Sequence, residues 1–298
     1  MSSFLYKEST IKWCEDKNVY SDYIIEWYNA LTGVCLSLSG ILFYLNNRNN
    51  IFISKFNETT IILIILGIGT VLFHSTLLYI FQLVDEIPML LLCFEYIKFL
   101  NLFNREYELT DFNDQDMKDL KKFINIYSIF IVIIGFIYNT LQVILFQSLI
   151  ILFVVYILKE VNYIEKYNLF LFNKLLKRKN YLYQCHIYHY NVNEKLALLK
   201  NNIIFISKQN DKLKKYKYYF YIYGVLSLFV WLVDNLFCDK IKYYNFYFNG
   251  HALWHIFSSI GLYYTNKIMI IQCNISYWYR HINKNLKVSN YYQNINKN

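Results

Sequence analysis

The stretch TIILIILGIGTVLFHSTLLYIF, Thr60 to Phe81, decides the fold class. It contains no Asp, Glu, Lys or Arg, and at 1.5 Å per residue a helix of this length crosses the roughly 30 Å of a bilayer core. Six further runs on either side pass the same test: Trp27 to Leu45, Glu86 to Phe103, about Phe123 to Thr140, about Leu141 to Leu158, about Tyr218 to Cys238, and Asn249 to Ile271. The fourth and fifth are nearly continuous and are divided at Asn139-Thr140-Leu141-Gln142, because one helix of their joint length overshoots any bilayer. Composition agrees. The 298 residues are 56% hydrophobic and 17% charged, against about 45–50% apolar and about 25% charged in an average soluble chain. One proline and eight glycines speak against a β-sandwich, a collagen-like chain or a flexible linker protein. The expected fold is an all-α integral membrane protein, a seven-transmembrane helix bundle.

The net charge of +9 invites a nucleic-acid partner, but its distribution excludes one. Thirteen of the thirty Lys and Arg residues lie between Lys159 and Lys217, beside apolar runs rather than on an aromatic-studded domain. Flanking charge sets membrane topology. With the N-terminus outside, 24 basic residues fall on the inner side, Lys267 at the inner end of the seventh span included, against five outside. Discounting the thirteen of the long loop leaves 11 against five. The N-terminus is therefore placed outside or in a lumen and the C-terminus in the cytosol. The opening MSSFLYKESTIKWCEDK lacks an apolar h-region, so targeting falls to the first span. The chain divides into a lumenal segment (1–26), spans one to five (27–159), a basic cytosolic insertion (160–216), spans six and seven (217–271) and a cytosolic tail (272–298). The insertion is polar with amphipathic patches, and is expected to lie on the membrane surface or to be partly disordered. Its Cys185, His186 and His189 have no second ligand pair at structural-zinc spacing and receive no chemistry.

Ionisable groups inside spans are costly and mark function by default. His74 lies in GIGTVLFHSTL with Thr70 one turn earlier, and GHALWH opens span seven with His251 and His255. Four residues apart, the latter two project from one helical face. A single buried histidine is usually a satisfied core residue. Three at one depth form a set that can hold zinc and leave a fourth position for water, and neutral imidazoles bring no charge into the bilayer. With the topology above, His74, His251, His255, Asp85 (after the outer end of span two) and Asp234 (near the outer end of span six) all fall in one leaflet. Glu95 and Lys98, one turn apart in span three, read as a structural pair.

The blocks WCED (Trp13 to Asp16), SDYIIEWYN (Ser21 to Asn29), GIGTVLFHSTL, QLVDEIPM (Gln82 to Met89), DNLFC (Asp234 to Cys238) and GHALWH, in this order, resemble the signature blocks of alkaline ceramidases, seven-span members of the CREST superfamily of metal hydrolases. They touch every part of the chain except spans four and five and the basic insertion. The resemblance implies an intramembrane zinc amidase of the endoplasmic reticulum or Golgi that cleaves ceramide to a sphingoid base and a fatty acid. His74, His251 and His255 match its zinc ligands, Asp85 its acid/base, and Thr70 stands where the family usually has serine. A threonine hydroxyl there keeps a donor for a developing oxyanion. The resemblance also pairs Cys14 with Cys238, both on the expected lumenal side.

The resemblance further implies a lumenal calcium site, and here the chain departs from the pattern. Trp13 (through its carbonyl), Glu15 and Glu26 match, while Lys12 and Lys17 stand where Asp and Asn are expected. The two changes add three positive charges to a site for a hard dication that wants six to eight oxygens, so calcium is expected to bind weakly or not at all. Two other readings share the three-His/Asp constellation: a seven-span lipid receptor of the progestin and adiponectin receptor type, and a GPI-remodelling lipid hydrolase of the same superfamily. The charge count and the lumenal cysteines disfavour the receptor, whose orientation is opposite.

Overall fold

The computed structural model describes residues 7–11, 13–106, 139–186, 193–243 and 249–295, with scattered positions between 119 and 133. Six helices have their bounds there: α1 (Trp27–Asn47), α2 (Asn57–Thr76), α3 (Tyr79–Glu106), α4 (Asn139–His186), α5 (Asn193–Tyr243) and α6 (Gly250–Ile295), with a 3₁₀ turn (Ile53–Phe56) ahead of α2. Among the described residues no strand forms, only an isolated bridge between Glu8 and Leu78. α2 packs between α1 and α3, and α6 between α1 and α5.

The outer surface is apolar and much of the interior is polar. On α2, Ile61, Ile65, Ile68 and Leu72 share one exposed face, while Thr60, Thr70 and His74 are buried. α1 likewise exposes Leu31, Leu38, Leu42 and Leu45 and buries Asn29 and Ser39. Water would penalise that outer face; lipid does not. Among the described residues, four stretches are long and apolar enough to cross a membrane, covering α1, the 3₁₀ turn with α2, and parts of α4 and α5. α3 and α6 coincide with the expected third and seventh spans but carry Gln82, Asp85, Glu86, Glu95 and Lys98, or His251, His255, Asn266 and Lys267, which dilute their hydropathy. The expected fourth span lies largely outside the described residues.

One expected boundary is corrected, and two regions gain secondary structure. First, span two does not run on to Phe81. α2 stops at Thr76, where Leu77 takes a left-handed conformation (φ 50°, ψ 30°) with its amide on the Phe73 carbonyl, and α3 begins at Tyr79 rather than Glu86. Hydropathy cannot show this break, because Leu77, Tyr79, Ile80 and Phe81 continue the apolar run. The conformation costs an L-residue about 1–2 kcal/mol. An incoming strand-like segment braces it: Ser9 N donates to Leu77 O at 2.9 Å and Tyr79 N to Lys7 O at 2.8 Å. Asp85 therefore sits in the second turn of α3, not at the end of span two. Second, the described parts of 160–216 are helical, as α4 runs on to His186 and α5 starts at Asn193. The amphipathic patches explain this: Leu175, Ile203 and Ile206 bury together, and Asn168 Nδ2 donates to Gln272 Oε1 on α6 at 2.6 Å. Third, the region expected as a tail continues α6 to Ile295. Cys185, His186 and His189 lie outside the residues whose side chains are described. Glu95 and Lys98 do pair, and Lys98 also reaches Glu58 at 2.9 Å.

Candidate metal centre

His74 occupies the last turn of α2, and His251 and His255 the first two turns of α6. All three are at most 3% exposed. One ligand-capable atom of each lies within 4.8 Å of the others, and the ring centroids are 5.1 Å (74–251), 5.1 Å (74–255) and 4.6 Å (251–255) apart.

Hydrogen bonding on the far side of two rings fixes which nitrogen faces inward. His74 Nδ1 lies 2.6 Å from Glu26 Oε2, so Nδ1 carries the proton and Nε2 presents its lone pair. Thr32 Oγ1 donates to the Tyr28 carbonyl at 2.7 Å, the usual back-bond of a helical threonine, and so accepts from His255 Nδ1 at 3.0 Å. That again leaves Nε2 bare. Among the described residues, His74 Nε2, His255 Nε2 and His251 Nδ1 are buried without a hydrogen-bond partner. Three bare imidazole nitrogens in one dry spot are costly unless something fills them. A tetrahedral cation with nitrogen ligands fits this donor set, and a partner on the outer ring nitrogen is the usual support of a metal-ligating histidine.

Thr70 and Asp85 lie beside each other, one turn before His74 on α2 and on the second turn of α3. Thr70 Oγ1 contacts Asp85 Oδ1 and lies 2.8 Å from the Leu66 carbonyl. Local sequence makes this approach possible. Pro88 has no N–H for the Val84 carbonyl four residues back, and that freed carbonyl faces Gly69: a Cβ there would sit 2.5 Å from Val84 O and 3.0 Å from Asp85 N. Glu86, next in the chain, accepts from Gln82 Nε2 at 2.7 Å and from Gln142 Nε2 at 2.6 Å. Gln82 Oε1 in turn accepts the Thr10 amide at 2.7 Å, tying α3, α4 and the N-terminal segment together.

The family model for ceramidases matches residues 5–294 of this chain. The chain belongs to the ceramidase family. An alkaline ceramidase of Saccharomyces cerevisiae is 43% identical over 82 residues, 28% of this chain and 26% of the relative. A putative alkaline ceramidase of Dictyostelium discoideum is 34% identical over 103 residues, 28% of this chain and 34% of the relative. An alkaline ceramidase of Arabidopsis thaliana is 24% identical over 265 residues, 88% of this chain and 83% of the relative. The matched stretch thus spans about a quarter and a third of the first two relatives and most of the third.

In this ceramidase-family chain the residues expected at calcium make contacts within the protein, although among the described residues Glu26 Oε1 is buried without a hydrogen-bond partner. Glu15 Oε1 accepts from Tyr28 N at 2.6 Å and Oε2 from Asn29 N at 2.9 Å, so both oxygens cap the exposed amides at the start of α1. Burial raises its carboxyl above the usual range, against the pull of those amides. Glu26 is fully buried, bonded to His74 and to Asn29 Nδ2 at 3.0 Å. Burial pushes it up to about 7, offset by Asn29 and by the positive charges of Lys17 and Lys242. Trp13 lays its ring on His251, centroids 3.5 Å apart. Lys12 lies outside the described residues. The expected Cys14–Cys238 disulfide is present, with Cα atoms 5.4 Å apart. Sequence reasoning missed Thr32 altogether and gave Glu26 a different role. A carboxylate one residue before a span whose partner helix ends in histidine was the available signal for the latter.

Proposed function

We propose that this chain is an intramembrane zinc-dependent amidase that hydrolyses ceramide to a sphingoid base and a free fatty acid. The observation that carries the reading is the set of three buried histidine nitrogens without a partner among the described residues, two of them on rings held by Glu26 and Thr32, with the Thr70–Asp85 pair alongside. Zinc held by His74, His251 and His255 would lower the pKa of a bound water towards about 7 and polarise the amide carbonyl. Asp85 accepts the proton of the attacking water and returns it to the amine nitrogen as the C–N bond breaks. Thr70 has one hydroxyl proton and two acceptors in contact, Leu66 O and Asp85 Oδ1. Once Asp85 is protonated it can donate to Thr70 Oγ1, which frees the threonine proton for the oxyanion. The apolar outer faces of α1 and α2 suit lateral entry of a two-chain lipid amide.

The same reading puts the N-terminus, the disulfide and the metal centre on the lumenal side of an endoplasmic reticulum or Golgi membrane, where oxidation is permitted, and completes seven spans with the fourth. Contacts within the protein support a loop from Cys14 to Glu26 that does not need calcium: Glu15 caps α1, Asn18 N donates to Ile25 O at 2.8 Å, and Lys242 Nζ pairs with Asp16 at 2.6 Å. The test is hydrolysis of a ceramide panel by purified protein, following free sphingoid base with zinc content measured in parallel. Substituting His74, His251 or His255 by Ala, or stripping zinc, should abolish release of the base. Full turnover in a metal-free preparation defeats the reading.

A further inference from the structure

Asp234 lies on α5 at 2% exposure, and among the described residues no cation pairs with it. Three backbone amides meet it instead. Its Oδ1 accepts from Gly250 N at 3.0 Å and His251 N at 3.2 Å, and its Oδ2 from Cys14 N at 3.4 Å. The first two are amides that the start of α6 leaves without an intrahelical partner, and a carboxylate is favoured at that positive end of the helix. The third belongs to the neighbour of Trp13, whose ring stacks on His251 at an interplanar angle of 16°. One turn further along α5, Cys238 is bonded to Cys14. One carboxylate therefore holds the backbone of His251 and, through Cys14, the ring that covers it.

We infer that Asp234 is a positioning residue of the metal centre: it sets the rotation and height of α6, and the seating of Trp13, so that His251 and His255 meet His74. His251 and His255 are one turn apart on the helix that Asp234 anchors, whereas His74 comes from α2. An error in the start of α6 thus displaces two of three ligands together. The inference rests on the zinc reading above and adds to it a residue that touches neither metal nor substrate.

The experiment compares wild type, Asp234→Asn, Asp234→Ala and Asp234→Glu in the full-length protein. Zinc affinity is measured by chelator competition, ligand geometry by the visible bands of the cobalt-substituted protein, and opening of α6 by amide exchange of the zinc-free protein. Asp234→Asn should lower zinc affinity by about 10–100-fold, the range seen when a ligand's outer support is removed. It should also shift the cobalt bands, reduce kcat with KM for ceramide nearly unchanged, and remove exchange protection at Gly250 and His251 but not in α2. Asp234→Glu, which keeps the carboxylate, should recover part of the affinity. Where Asp234→Ala fails to fold, Asp234→Asn decides. Zinc affinity and cobalt bands at wild-type values in a folded Asp234→Asn protein overturn this inference alone. A wild-type protein that takes up neither metal overturns the zinc reading, and Asp234's role at a metal with it.

Discussion

Glu26 and His74, 48 positions apart, meet at 2.6 Å between a carboxylate oxygen and Nδ1, both side chains fully buried. The contact holds the imidazole in the tautomer that faces the other two histidines, so Glu26 acts on the centre through His74. Glu26→Gln keeps an acceptor but loses the charge, and should weaken zinc by about 10–100-fold in chelator competition. Unchanged zinc content at limiting metal would remove Glu26 from the metal centre.

Gly69→Ala separates the acid/base pair from the metal. The new Cβ meets the Val84 carbonyl at 2.5 Å, and backbone there has no room to yield without moving α3. The histidines reside on α2 and α6, so zinc should remain bound while kcat falls at least about 100-fold, in keeping with a displacement of about 1 Å at the chemistry. Loss of zinc together with activity would show that α3 supports the ligands as well.

Thr70 carries both a hydroxyl and a methyl, and the methyl packs where a Cβ on Gly33 would sit 2.8 Å from it. Thr70→Val removes the hydroxyl at constant shape and should lower kcat by about 10²–10³, as loss of one oxyanion donor does. Thr70→Ser keeps the donor, and should leave kcat within a few-fold while lowering stability by about 1 kcal/mol for the lost methyl. Equal turnover by the valine variant would remove Thr70 from the reaction.

Calcium chelation should leave both melting temperature and turnover unchanged, since the N-terminal loop is closed by its own amides and by the Lys242–Asp16 pair. Lys12→Asp combined with Lys17→Asn should make both depend on calcium. A large, saturable calcium-induced rise in the wild-type melting temperature contradicts this.

Histidine spacing and charge counting were enough to point to the three histidines that the structure brings together, because ionisable residues in apolar runs stand out against their background. The turn at Leu77 was not legible, since its chemistry is that of the helices it separates; only the pairing of Lys7 and Ser9 with it reveals why the chain bends there. Glu26 was legible as a carboxylate but not as the partner of His74, because a contact across 48 residues leaves no local pattern. The helices through 160–216 were hidden by basic and Asn-rich composition, although Leu175, Ile203 and Ile206 carry the buried stripe. α3 and α6 are the inverse case: their polar residues mark the site and at the same time erase the signal of a span.

The Cys14–Cys238 link, with its separation of 224 residues, also sets a timetable for biosynthesis. At about 5–20 residues per second, the first cysteine is synthesised on the order of ten to fifty seconds before its partner. Through that interval His74 has neither α6 nor the anchored Trp13 beside it, and Cys14 remains available to any oxidant or stray thiol. The three-histidine centre is therefore among the last parts of the protein to exist, and its assembly is tied to the oxidation of this cysteine pair.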